Sequence, residues 1–167
     1  MSTNASTGPA PEPTPAATRP DGLWADDLQA GWTFRSGETE MTAEAIVAFA
    51  SQYDPQPFHV DAAAAPGTFF NRLVASGWHT AAITMRLLVD GLPLATGIVG
   101  SGGQVAWPSA TVPGDRLHVE GSVDSLVWST SRPNQATIAV SHRTVNQHGE
   151  IRQRTDARLI VWKRPAG

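Results

Sequence analysis

A chain of 167 residues with 41% hydrophobic and 16% charged side chains holds material for one ordinary globular domain and no second core. Its formal net charge of −3 excludes the broad basic face of an electrostatic nucleic-acid binder, and its lack of cysteine excludes disulfides, thiolate catalysis and zinc–thiolate sites. No apolar run reaches the roughly 18 residues that a bilayer span requires. The N-terminus has neither the basic start nor the apolar middle of a signal peptide, so the expected compartment is the cytoplasm.

Residues 1–21 are mostly Ala, Pro, Thr and Ser, with almost no large apolar side chain. Such a segment cannot bury enough surface to offset the entropy of ordering, so a disordered tail is expected there and a folded domain over 22–167. Trp32 and Phe34 alternate with polar neighbours as in a strand. Thr42 precedes Ile46, Val47, Phe49 and Ala50 as the start of a short helix. Asp54 and Gln56 each precede a proline, which biases both toward extended backbone and predicts a loop from Asp54 to His59.

The segment SGWHTAAITMRLLVDG predicts the strongest helix, with Ser76 as N-cap and Gly91 as C-terminal stop. Trp78, Ala81, Ala82, Met85, Leu88 and Val89 make its apolar face, and Ile83 and Leu87 add apolar surface elsewhere. Beyond Gly91, four segments near 97–107, 115–127, 135–146 and 150–163 are rich in Val, Ile, Thr and Trp. The turns Pro113–Asp115 and His148–Glu150 separate some of them. Leu117, Val119 and Val123 alternate with polar residues, as do Ile138 and Val140. A strand, helices and then antiparallel strands predict an α+β domain, a curved antiparallel sheet wrapped around one long helix.

Within YDPQPFH, Asp54 and His59 stand five residues apart on a chain stiffened by Pro55 and Pro57. A carboxylate and an imidazole held together can grip one water, one accepting a proton while the other accepts or donates a second, which is general acid–base chemistry. On spacing alone the commoner reading is structural: Asp54 starts a turn and His59 bonds a carbonyl at the core edge. Ser76-Gly77 adds a second feature. The first N–H groups of a helix lack internal partners and sit at the positive end of its dipole. At Gly77 no side chain blocks a thioester oxygen from binding there and gaining charge. Helix capping by Ser76 and close packing at Gly77 account for the same residues.

Other residues carry less. His79, in the first turn of that helix, reads as locally bonded or at a pocket edge. His118, His142 and His148 lack metal-ligand spacing, so no metal site is expected. Gly97 to Gln104 lacks the ending of a phosphate loop. Arg152, Arg154, Arg158, Lys163 and Arg164 read first as a solvated face, with a patch for an anionic cofactor as the alternative, and Trp107, Trp128 and Trp162 read as core or interface.

YDPQPFHVDAAAA followed by VASGWHTAA resembles the signature of the MaoC-like dehydratases, the (R)-specific enoyl-CoA hydratases of the hot-dog fold. GQVAWPSATVPGDRLHVEGSV and VNQHGE are similar to that family's strand region, and the resemblance covers residues 23 to 163. The family often has Asn where this chain has Gln56. The resemblance implies that Asp54 and His59 hold the water added to a trans-2-enoyl thioester. It implies that Gly77 supplies an oxyanion N–H and that Ser76 orients the helix start or the nearby loop; Trp78 reads with the other tryptophans as core or interface, the one of them that suits a place near the acyl chain. Asp61 would cap the turn through Ala62 to Ala65. It further implies an acyl-CoA or acyl carrier protein substrate, no cofactor, no nucleic-acid or membrane partner, and a homodimer with joined sheets. A non-catalytic subunit of a heteromeric dehydratase and an acyl-thioester hydrolase are the alternatives.

Overall fold

Alternation along the late segments becomes the sheet. The computed structural model describes residues 22–166, so the tail expected over 1–21 lies outside the described residues. Two short strands, β1 (Thr33–Arg35) and β2 (Thr39–Met41), are followed by helix α1 (Ala43–Tyr53), the single turn α2 (Pro57–Val60) and α3 (Gly77–Gly91). Then come β3 (Val99–Ala106), β4 (Asp115–Trp128), β5 (Gln135–Val145) and β6 (Ile151–Trp162). The strands pair antiparallel in the order β1-β4-β5-β6-β3, with β2 also on β4.

Leu117, Val119 and Val123 of β4, Ile138 and Val140 of β5, and Leu159 and Val161 of β6 turn inward onto Leu87 and Leu88 of α3. Burying each such side chain stabilises the fold by about 1.5–3 kcal/mol. Phe34, Met41 and Ile46 extend the same core toward β1, β2 and α1. The result is the α+β hot-dog arrangement of a curved antiparallel sheet around α3. Among the described residues no helix is long and apolar enough to cross a membrane.

Three expectations change. Residues 54–59 are not all loop. Gln56 is extended as a residue before proline should be (φ −82°, ψ 145°), but Pro57 opens the turn α2, which contains His59. Proline restricts its predecessor while its own fixed φ suits a first helical position. Second, the expected apolar face of α3 mostly faces out: Trp78, Met85 and Val89 are 65%, 49% and 46% exposed. The buried face is His79, Thr80, Thr84, Leu87, Leu88 and Gly91. The sheet meets this face partly with polar groups, Thr84 and Thr144 sharing a 2.6 Å hydroxyl–hydroxyl bond.

Gly91 ends α3 where expected; a β carbon there would lie 3.1 Å from the Ser36 nitrogen, so glycine lets the helix approach β1. Third, Arg152 is buried, not solvated. It pairs through two nitrogens with Asp115, at 2.8 and 3.1 Å.

Candidate active site

Asp54 is the C-cap of α1, its N–H bonded to the Ala50 carbonyl at 2.9 Å. The α2 turn, closed by the His59 N–H donating to the Gln56 carbonyl at 2.8 Å, swings the imidazole back toward that carboxylate. His59 is 5% exposed, and its Nδ1 lies 2.7 Å from the Val74 carbonyl. A carbonyl only accepts, so Nδ1 carries the hydrogen and neutral His59 presents a lone pair at Nε2. Nε2 stands 3.5 Å from Asp54 Oδ2. That gap is long for a direct bond and leaves two acceptors side by side.

The carboxylate has its own supports. Gln56 Nε2 donates to Asp54 Oδ1 at 2.8 Å, and the Ser76 hydroxyl donates to the same carboxylate. Burial pushes the Asp54 pKa up, but the Ser76 and Gln56 hydrogen bonds, helped by the charge His59 carries whenever it is protonated, outweigh it, and the net displacement is downward from 3.8. Asp54 is therefore ionised at neutral pH. Ser76 is fully buried behind it and caps α3 by accepting from the Trp78 N–H at 3.2 Å.

Asp54, His59, Gly77 and Trp78 line one cavity of about 390 Å³. Gly77 is the first residue of α3, so its N–H has no intrahelical partner. Trp78 meets Trp107 edge to face, centroids 5.4 Å apart. Phe58 and Phe70, themselves edge to face, form another wall. Thr80, Ser109 and Thr111 form a hydroxyl-bearing wall, Thr80 donating to Thr111 at 2.9 Å. Sequence reasoning missed this last group. Thr80 and Thr111 are 31 positions apart, and no local pattern joins them.

The wall at 109–112 is fixed from behind. Arg152 Nη1 donates to Ser109 Oγ at 2.9 Å, and Asp115 Oδ2 accepts from the Val112 N–H at 3.0 Å. Burial raises the Asp115 pKa, but the bonds from Arg152, Val112 and Asn146 lower it further, so this pair is charged. Three larger hollows, of about 480, 460 and 430 Å³, lie elsewhere, and the first two include Glu120 and Arg143. There Glu120 faces His118 Nε2 at 3.6 Å but is already paired with Arg35 and Arg143.

His79 does not line the cavity: it stacks on Phe49 with centroids 4.6 Å apart, and burial lowers its pKa. Asp61 accepts from the Ala63 N–H at 2.7 Å, capping the turn. Among the described residues no three His, Asp or Glu side chains gather into a metal-binding group.

The family model of the MaoC like domain matches residues 29–146, most of the chain, and the chain belongs to the MaoC-like dehydratase family. It is similar to a MaoC-like dehydratase from Rhodospirillum rubrum, at 51% identity over 87% of this chain and 100% of that one, with a TM-score of 0.85. An (R)-hydratase from A. caviae involved in PHA biosynthesis matches at 25% identity, over 83% of this chain and 98% of that one, with a TM-score of 0.65. The uncharacterized protein YdeM of Bacillus subtilis is 34% identical over 65 residues, which are 39% of this chain and 46% of YdeM, so the match spans under half of that relative.

Proposed function

We propose that this chain is a hydro-lyase that adds water to a trans-2-enoyl thioester to give an (R)-3-hydroxyacyl thioester, or runs the reverse dehydration. The observation that carries the reading is the 3.5 Å approach of Asp54 Oδ2 and His59 Nε2 on a cavity that also holds the free N–H of Gly77. Two acceptors at that separation suit one water, which donates a hydrogen to each and turns its own lone pair toward carbon 3 of the substrate.

As the oxygen–carbon 3 bond forms, the double-bond pair shifts toward carbons 1 and 2 and negative charge gathers on the thioester oxygen. The Gly77 N–H, at the positive end of α3, stabilises that charge. The proton taken from water rests on the acid–imidazole pair and returns to carbon 2, so one water supplies both the hydroxyl and the new hydrogen. Both arrive from the side on which Asp54 and His59 stand, which makes the addition syn. Ser76 and Gln56 act through Asp54, holding its carboxylate in place and ionised. The R configuration follows the A. caviae (R)-hydratase.

Coenzyme A and acyl carrier protein thioesters both suit this chemistry. The compartment we assign is the cytoplasm, to which a cysteine-free chain is suited. We also assign a homodimer. The edge strand β3 is exposed along its whole length, and the outward stripe Trp78, Met85, Val89 is apolar, as a surface covered by a second copy would be. A stable monomer in sedimentation would count against that assembly.

The test is incubation with crotonyl-CoA. Loss of the conjugated enoyl absorbance with formation of (R)-3-hydroxybutyryl-CoA is expected, and Asp54→Asn should lower kcat by about 10²–10⁴-fold. Release of free CoA would identify a thioester hydrolase instead.

A further inference from the structure

Trp107 follows the last residue of β3, and its indole lies against the first turn of α3. Ring atoms Cδ2 and Cε2 come within 3.0 Å of where a β carbon on Gly77 would stand, and Cε3 within 3.3 Å. A β carbon lies about 2.5 Å from its own backbone nitrogen by standard covalent geometry. The indole thus stands beside the Gly77 backbone on the wall of the same cavity. The same contact explains why this position is glycine.

The ring is fixed in place. Its Nε1–H donates to Gln153 Oε1 at 2.9 Å; Gln153 is 3% exposed, and its amide donates in turn to Thr155 Oγ1 at 3.0 Å. Yet Trp107 itself is 40% exposed and lines the cavity of Asp54 and His59. A tryptophan that served only to fill the core would be enclosed. This one spends a buried glutamine to hold an aromatic wall beside an open site.

Resting on the hydratase reading, we infer that Trp107 is a specificity-determining residue. It admits substrates with no substituent on carbon 2 and rejects those branched there. With the thioester oxygen on the Gly77 N–H, carbon 2 is one bond from the carbonyl carbon and lies beside the indole. A methyl group on carbon 2 meets a ring that moves only by giving up its bond to Gln153. Gln153 is then a positioning residue acting through Trp107.

The experiment compares crotonyl-CoA with (E)-2-methylcrotonyl-CoA in wild type, Trp107→Ala, Trp107→Phe, Gln153→Ala and Gln153→Glu. Binding of butyryl-CoA and 2-methylbutyryl-CoA by calorimetry supplies an arm that needs no turnover, and thermal unfolding checks that each variant folds. Wild type should favour the unbranched substrate by roughly ten-fold or more, the usual worth of one misplaced methyl group. Trp107→Ala should erase most of that ratio, with Trp107→Phe between the two. Gln153→Ala should erode it, and Gln153→Glu, which keeps the acceptor, should restore it. An unchanged ratio in folded Trp107 variants, in turnover and binding alike, overturns the inference, as does failure of wild type to bind either saturated thioester. Binding without turnover would defeat the hydratase reading, and the binding ratio would still decide the role of Trp107.

Discussion

His59 and His142 are buried to nearly the same degree, 5% and 7% exposed, but they lie in different surroundings. At the α2–α3 junction, His59 has the Val74 carbonyl behind Nδ1 and the Asp54 carboxylate before Nε2. On β5, His142 has a buried Nδ1 with no partner, and burial pushes its pKa down to about 4 against the pull of Asp156. Burial alone yields a neutral ring with nothing to orient it. A carbonyl on one side and a carboxylate on the other turn the same ring into an aimed base.

Paired substitutions break or sharpen this contrast. His59→Gln should cost about 10²–10⁴-fold in kcat for crotonyl-CoA hydration, whereas His142→Gln should leave kcat within a few-fold of wild type. Equal losses at the two positions would erase the distinction. The same difference between partnered and unpartnered groups governs stability. Arg152→Ala strands a buried Asp115 carboxylate and should cost about 3–5 kcal/mol in denaturant unfolding.

For His142 the effect depends on pH. Its pKa is 6.5 unfolded and about 4 folded, so between those values the unfolded chain binds the extra proton. Stability should fall as the solution is acidified from about pH 6.5 to about pH 4. Each pH unit is worth roughly 1.4 kcal/mol, or about 3 kcal/mol over the window. In His142→Gln that part of the acid slope should disappear, measured by unfolding midpoints across the range.

The smallest effect should come from Gln56→Ala. Removing this donor raises the Asp54 pKa, so the acid limb of the pH–rate profile should move to higher pH, with less than about a ten-fold change in kcat. An unmoved limb would show that Gln56 does not act on the carboxylate.

What the sequence disclosed followed from distance along the chain. Strands β3 to β6 were legible because Leu117, Val119 and Val123, or Ile138 and Val140, write their own period. The start of α3 was legible because Ser76 caps it directly. Asp54 and His59 were noticed together because five residues separate them. The burial of Arg152 was not legible, since its partner lies 37 positions away. Nor was the orientation of α3: the stripe of Trp78, Met85 and Val89 marks an apolar face without saying whether its own sheet or another surface covers it. Trp107 looked like any strand-end aromatic until folding laid it on Gly77, 30 positions earlier in the chain.

The most direct test of a single water shared by Asp54 and His59 is stereochemical. Crotonyl-CoA is hydrated by the wild-type protein in deuterium oxide, and the relative configuration at carbons 2 and 3 of the product is read by NMR. The account predicts that the new deuterium and the new hydroxyl lie on the same face. Addition to opposite faces would contradict it, because proton and oxygen would then have come from different sides of the site.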